Sequence, residues 1–122
     1  FKAGTDDIRD SLALRIVEDL AARGAIVRAF DPAVHGAVLP QNASLAPSAL
    51  AAADGADALL VLTEWPEFAR ISPAAIASAL GSGVVIDGRN VLDAERIAAA
   101  GVRYRGMGRH AEPVHATLEV AV

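Results

Sequence analysis

Apolar positions along this chain fall into two alternating patterns. Leu12, Ala13, Ile16, Val17 and Leu20 recur three and four residues apart and so line one face of a helix. Ser11 is placed to cap that helix and Gly24 to stop it, which predicts a helix over residues 11–23. The next apolar segment, 25–30, is short and partly β-branched, and ends on Asp31-Pro32; it reads as a strand followed by a turn. Residues 33–45 show neither period and read as an irregular connection. An alanine-rich helix is predicted over 47–53. The run 58–62 (ALLVL) is continuously apolar, the pattern of a strand covered on both faces. Residues 73–80 read as a helix and 83–86 (GVVI) as a second buried strand. Asp93 is placed to cap a helix reaching residue 99, Gly101 stops it, and 102–104 reads as the last strand.

Strands alternating with helices predict βαβ units with right-handed crossovers. The expected fold is therefore α/β, a Rossmann-like doubly wound and mostly parallel sheet. Phe1-Lys2-Ala3-Gly4-Thr5 has the look of a loop that leaves a strand, yet no strand stands before it. The first strand of the sheet is thus expected to be missing from this chain, which reads as an excerpt of a longer protein.

Composition narrows the functional classes. The 122 residues fit one domain, and 53% of them are apolar, enough for a sizeable core. The net charge of −4 comes from interspersed signs, which argues against nucleic acid and against an anionic membrane as partners. No apolar run reaches membrane-spanning length, and no secretion leader is visible. The absence of cysteine removes disulfides, thiolate metal sites and cysteine nucleophiles together. His35, His110 and His115 read as structural or incidental, and the adjacent Asp6 and Asp7 lack the further ligands a metal requires. No metal site and no catalytic residue are expected in this chain.

In open α/β sheets, ligands bind beyond the C-terminal ends of the strands. Three polar segments are expected at that edge: 1–10, 63–68 and 87–90. The first brings Lys2 and the start of a helix together, a setting that suits a diphosphate, although Asp6, Asp7 and Asp10 also suit the helix dipole alone. In the third, Gly88 permits a tight turn and Arg89 projects from the edge. Its planar guanidinium fits a phosphate or a base carbonyl, or else pairs with Asp87 or Asp93. In the second, Trp65 reads as a plug for the core or an interface, and Glu64 as structural, with no partner evident. Nothing matches G-x-G-x-x-G, so a self-contained dinucleotide domain is not supported.

Taken in order, the opening FKAGTDDIRDS, then Thr63-Glu64-Trp65, Asp87-Gly88-Arg89-Asn90 and Tyr104-Arg105-Gly106-Met107-Gly108-Arg109 resemble the C-terminal domain of the UDP-glucose/GDP-mannose dehydrogenase family. The resemblance covers residues 1–109 as a UDP-sugar-binding domain and leaves 110–122 as a C-terminal tail. Leu12 departs from it, standing where the family usually has a proline; proline there is favourable but dispensable. The resemblance implies an NAD-dependent, twofold oxidation of a sugar C6 alcohol, UDP-glucose to UDP-glucuronate being the expected case. It also implies that NAD and the catalytic cysteine belong to a separate N-terminal domain, that the full enzyme is a homodimer, and that it is cytoplasmic. Carried over by position, Phe1, Lys2 and Arg89 would contact the nucleotide sugar, and Arg9 would reach toward NAD. Three other readings stay open: a related dehydrogenase for GDP-mannose or a UDP-N-acetyl-hexosamine, a detached non-catalytic nucleotide- or protein-binding module, and a response-regulator-like domain. The last would need an acidic pocket shared by several strand ends.

Overall fold

The computed structural model describes residues 12–34, 36 and 38–111. The chain divides into two compact units that meet at residues 52 and 53. In the first, helix α1 (Leu12–Ala22) buries Ala13, Val17 and Ala21, one residue per turn, while Leu12 at its start is 67% exposed rather than part of the apolar stripe. Helical period tells which positions share a face; it does not tell how far along that face the covering surface extends. The helix ends in a Schellman motif: Gly24 takes a φ of 95° and donates to Ala21 O at 3.0 Å, and Ala25 N donates to Leu20 O at 3.0 Å.

Strand β1 (Val27–Ala29) then pairs in parallel with β2 (Ala43–Leu45), a strand lying inside the segment expected to be irregular. Only three residues long, β2 is too short to display a period. It is held by Asn42, whose side-chain amide donates to Ala21 O at 2.9 Å and to Ala25 O. Asp31, after β1, is buried, and its carboxylate accepts from Ala33 N at 2.9 Å, closing the turn that Asp-Pro predicted. Helix α2 (Ala49–Ala53) follows.

The second unit holds a four-stranded sheet in the order β3 (Ala58–Val61), β4 (Val84–Asp87), β5 (Arg103–Gly106) and β6 (Arg109–Ala111). The first three strands are parallel, and β6 returns antiparallel through a two-residue turn at Met107 and Gly108. The short helix α3 (Pro66–Ala69) and the helix α4 (Pro73–Leu80) connect β3 to β4, and α5 (Ala94–Ala99) connects β4 to β5. Helices α4 and α5 pack on each other. The core they cover includes Val61, Ile76, Leu80, Val85, Ile97, Val102 and Tyr104.

The α/β, Rossmann-like, mostly parallel expectation therefore stands. One detail differs. Strand β4 is buried on the face carrying Val85 and Asp87, but Ile86 on the opposite face is 41% exposed. A continuous apolar run says that neither face is strongly polar; it does not say that both are covered.

Candidate functional site

Strands β3 and β4 end level, because Val61 pairs with Asp87. The chain leaving each strand therefore emerges at the same sheet edge. Gly88 turns close against β3: its N–H donates to Val61 O at 2.9 Å, and a Cβ there would lie 3.3 Å from that oxygen. Close approach, rather than an unusual φ, is what favours glycine at 88. Asn90 takes the left-handed conformation instead, with φ 53°, which asparagine tolerates better than most residues.

At this edge Arg89 and Glu64 meet. Arg89 Nη2 donates to Glu64 Oε1 at 2.8 Å, with the two side chains 46% and 59% exposed. An ion pair this open to water contributes little stability. It does hold a guanidinium at the mouth of the β3 and β4 loops. Trp65, half-buried, precedes Pro66 at the start of α3, and Phe68 of that helix enters the core.

Behind Arg89 lies a buried polar network. Asp87 is fully buried and receives three hydrogen bonds. Its Oδ1 accepts from Arg89 N at 3.2 Å, and its Oδ2 accepts from Leu92 N at 2.8 Å and from the Tyr104 hydroxyl at 2.9 Å. The same hydroxyl accepts from Arg109 Nη2 at 2.9 Å, and that nitrogen also donates to Leu92 O at 2.9 Å. The Arg109 guanidinium stands 5.3 Å from the centre of the Tyr104 ring, within cation–π reach. Burial pushes the Tyr104 hydroxyl above its ordinary pKa, and its hydrogen bond to Asp87 adds to this; Arg109 pulls the other way. Nearer the surface, Asn90 brackets the hairpin turn: Nδ2 donates to Met107 O at 3.0 Å and Oδ1 accepts from Met107 N at 2.9 Å.

Of the residues singled out from sequence, Arg89 is at the expected edge. Its side chain pairs with Glu64, not with Asp87 or Asp93; Asp87 holds its backbone instead, because the pleat turns that carboxylate inward beside Val85. Glu64, for which sequence offered no partner, has one. Phe1, Lys2 and Arg9, the cap at Ser11, the Asp6–Asp7 pair, His35 and residues 112–122 lie outside the described residues. The roles of Tyr104 and Arg109 were not foreseen. The signal was present: Asp87 shares a face with Val85 two positions earlier, so a buried carboxylate in need of donors was implied. Among the described residues no cluster of three or more His, Cys, Asp or Glu side chains is arranged to hold a metal ion. No described helix is long and apolar enough to cross a membrane. What the edge offers is a half-exposed guanidinium, paired with Glu64, on a loop tied down by hydrogen bonds, which suits binding of an anionic ligand.

Residues 1–94 match the model for the UDP-glucose/GDP-mannose dehydrogenase family, UDP binding domain. The chain is 38% identical over 112 residues to a UDP-glucose 6-dehydrogenase of Rickettsia bellii, covering 88% of this chain and 26% of that protein. It is 36% identical over 117 residues to a UDP-glucose 6-dehydrogenase of Pseudomonas aeruginosa, covering 89% and 26%. Among solved structures it is similar to a UDP-D-ManNAc dehydrogenase from Pyrococcus horikoshii, with TM-score 0.68, 33% identity and coverage of 89% and 23%. It also shares the fold of an NDP-N-acetyl-D-galactosaminuronic acid dehydrogenase from Methanosarcina mazei, with TM-score 0.78, 24% identity and coverage of 93% and 24%. The chain thus spans about a quarter of the length of these proteins.

Proposed function

We infer function from a family premise: this chain belongs to the UDP-glucose/GDP-mannose dehydrogenase family, and the part of it that the chain matches is the UDP binding domain. The proposed role is the nucleotide-sugar-binding domain, over residues 1–109, of an NAD-dependent UDP-glucose 6-dehydrogenase that converts UDP-glucose to UDP-glucuronate. The observation that carries the choice of sugar is the name shared by curated relatives at 36% and 38% identity over nearly nine-tenths of this chain. A UDP-N-acetyl-hexosamine is the second reading, favoured by the 33% identity to the UDP-D-ManNAc dehydrogenase.

In this proposal Arg89 binds the nucleotide sugar from the β4 edge, where a charge-assisted contact suits a diphosphate or a base carbonyl. Phe1 and Lys2 join it at the substrate, and Arg9 reaches toward NAD, as the family resemblance implies. The described residues do not fit NAD as its principal site, since the chain carries no G-x-G-x-x-G loop. Hydride transfer and the cysteine chemistry belong to the N-terminal domain of the whole enzyme, and no step of them runs through these residues. A homodimer and a cytoplasmic location complete the proposal. The test is NAD reduction by the full-length enzyme with UDP-glucose, GDP-mannose and UDP-N-acetylmannosamine in turn. UDP-glucose is expected to have the highest kcat/KM; preference for either of the others refutes the choice of sugar.

A further inference from the structure

We propose that Asp87, Asn90 and Tyr104 are positioning residues for Arg89, and that the β5–β6 hairpin is the rigid mount on which its guanidinium meets the nucleotide sugar. This rests on Arg89 being a substrate contact. An arginine side chain is long and flexible, so the place its guanidinium occupies depends first on where its backbone is fixed. Arg89 and Asn90 are exposed and lie in a connection between β4 and α5 with no regular structure. Such a loop would ordinarily be mobile.

Four attachments prevent that. Asp87 grips the loop from its own stem through Arg89 N and Leu92 N. Asn90 grips the hairpin tip through both polar backbone atoms of Met107. Arg109, at the start of β6, holds Leu92 O. Tyr104 links the stem to the hairpin, donating to Asp87 while accepting from Arg109. The fit is close enough that a Cβ at Gly106 would stand 2.6 Å from Asn90 Oδ1 and 2.8 Å from the Tyr104 hydroxyl. Glu64 then steadies the far end of the side chain. Core stability alone would account for Asp87 and Tyr104 meeting each other. It does not account for Asp87 and Arg109 both bonding the backbone of the loop that carries Arg89, nor for Asn90 tying that loop to the Met107 backbone in the hairpin turn. A binding group held in place before the ligand arrives loses less freedom on binding.

The test uses the full-length enzyme and four variants: Arg89→Ala, Asn90→Gly, Tyr104→Phe and the double Asn90→Gly/Arg89→Ala. Asn90→Gly keeps the left-handed backbone while removing the clamp, and it lies at an exposed position, so it carries the test even where Tyr104→Phe fails to fold. Measured for each are KM for UDP-glucose, KM for NAD, kcat and Tm. Arg89→Ala should raise the UDP-glucose KM. Asn90→Gly and Tyr104→Phe should each raise it roughly threefold to tenfold, as loss of a hydrogen bond would, with the NAD KM unmoved. The double variant should bind UDP-glucose no worse than Arg89→Ala alone, because a mount matters only through what it carries. If Arg89→Ala raises KM while Asn90→Gly and a folded Tyr104→Phe lower only Tm, or if the effects in the double variant multiply, the mount is refuted and the substrate contact survives. If Arg89→Ala leaves KM unchanged, both fall together.

Discussion

A methyl group at position 106 has nowhere to go. Asn90 Oδ1 and the Tyr104 hydroxyl already occupy the space it would need, and both are committed to other partners. Gly106→Ala should therefore destabilise the chain by about 1–3 kcal/mol, as forced overpacking does; urea denaturation of the two forms measures it. Tyr104 supports a second prediction. Its pKa in the fold is raised above the ordinary 10.0, so the folded state holds the phenol proton more tightly than the unfolded chain. That contribution is fully present below pH 10 and is lost as pH rises through the folded pKa. Because Tyr104 is the chain's sole tyrosine, tyrosinate absorbance reports on it alone. The titration midpoint of the folded chain should lie above that of the urea-unfolded chain, and a lower midpoint would contradict the buried hydrogen-bonded geometry. At this scale the place of Arg89 was legible from sequence because a polar segment, 87–90, following an apolar run is informative by itself. Its partners were not, since Glu64 is 25 residues away and Tyr104 is 17 beyond Asp87.

Elements were most legible where a single residue sets their ends. Gly24 and Gly101 both take φ 95°, and both helices they follow end in the same paired hydrogen bonds, Gly101 N to Ala98 O at 2.9 Å and Val102 N to Ile97 O at 3.3 Å in the second case. Asp93 caps α5 as expected, its Oδ1 accepting from Glu95 N at 3.1 Å and Arg96 N at 3.2 Å. Asp93→Ala should lower stability by about 1 kcal/mol, the usual cost of a lost cap, with little change in the UDP-glucose KM of the full-length enzyme. Thermal melting and steady-state kinetics separate the two effects, and a large KM change would mean that the cap, too, shapes the binding loop. The strands β2 and β6 escaped notice because three residues carry too little alternation to be distinguished from loop. Strand β6 also owes its place to Gly108, which takes φ 75° in a two-residue turn, and to pairing with β5, a partner that no local pattern names.

On the scale of the whole molecule, the proposal gives this chain a binding edge and leaves turnover to the rest of the enzyme. It has no cysteine and no dinucleotide-binding glycine loop, and it corresponds to about a quarter of its relatives' length. The pure 122-residue chain should therefore give no NAD reduction with UDP-glucose, and spectrophotometric detection of NADH above the no-protein blank would overturn that. The α/β class was legible because alternation is a property of the entire sequence and survives errors at single boundaries. The assembly of the edge was not, because it depends on which strands become neighbours. That assembly leaves a trace of its own. Asn90 meets Gly106 and Met107, and Asp87 meets Tyr104, so substitutions at these positions have meaning only in combination. In a mutational scan they should show epistasis: a side chain at 106 becomes less costly once 90 is made smaller, with the contact to Tyr104 remaining. The exposed positions of α5, though they lie between the two ends in sequence, should vary one at a time.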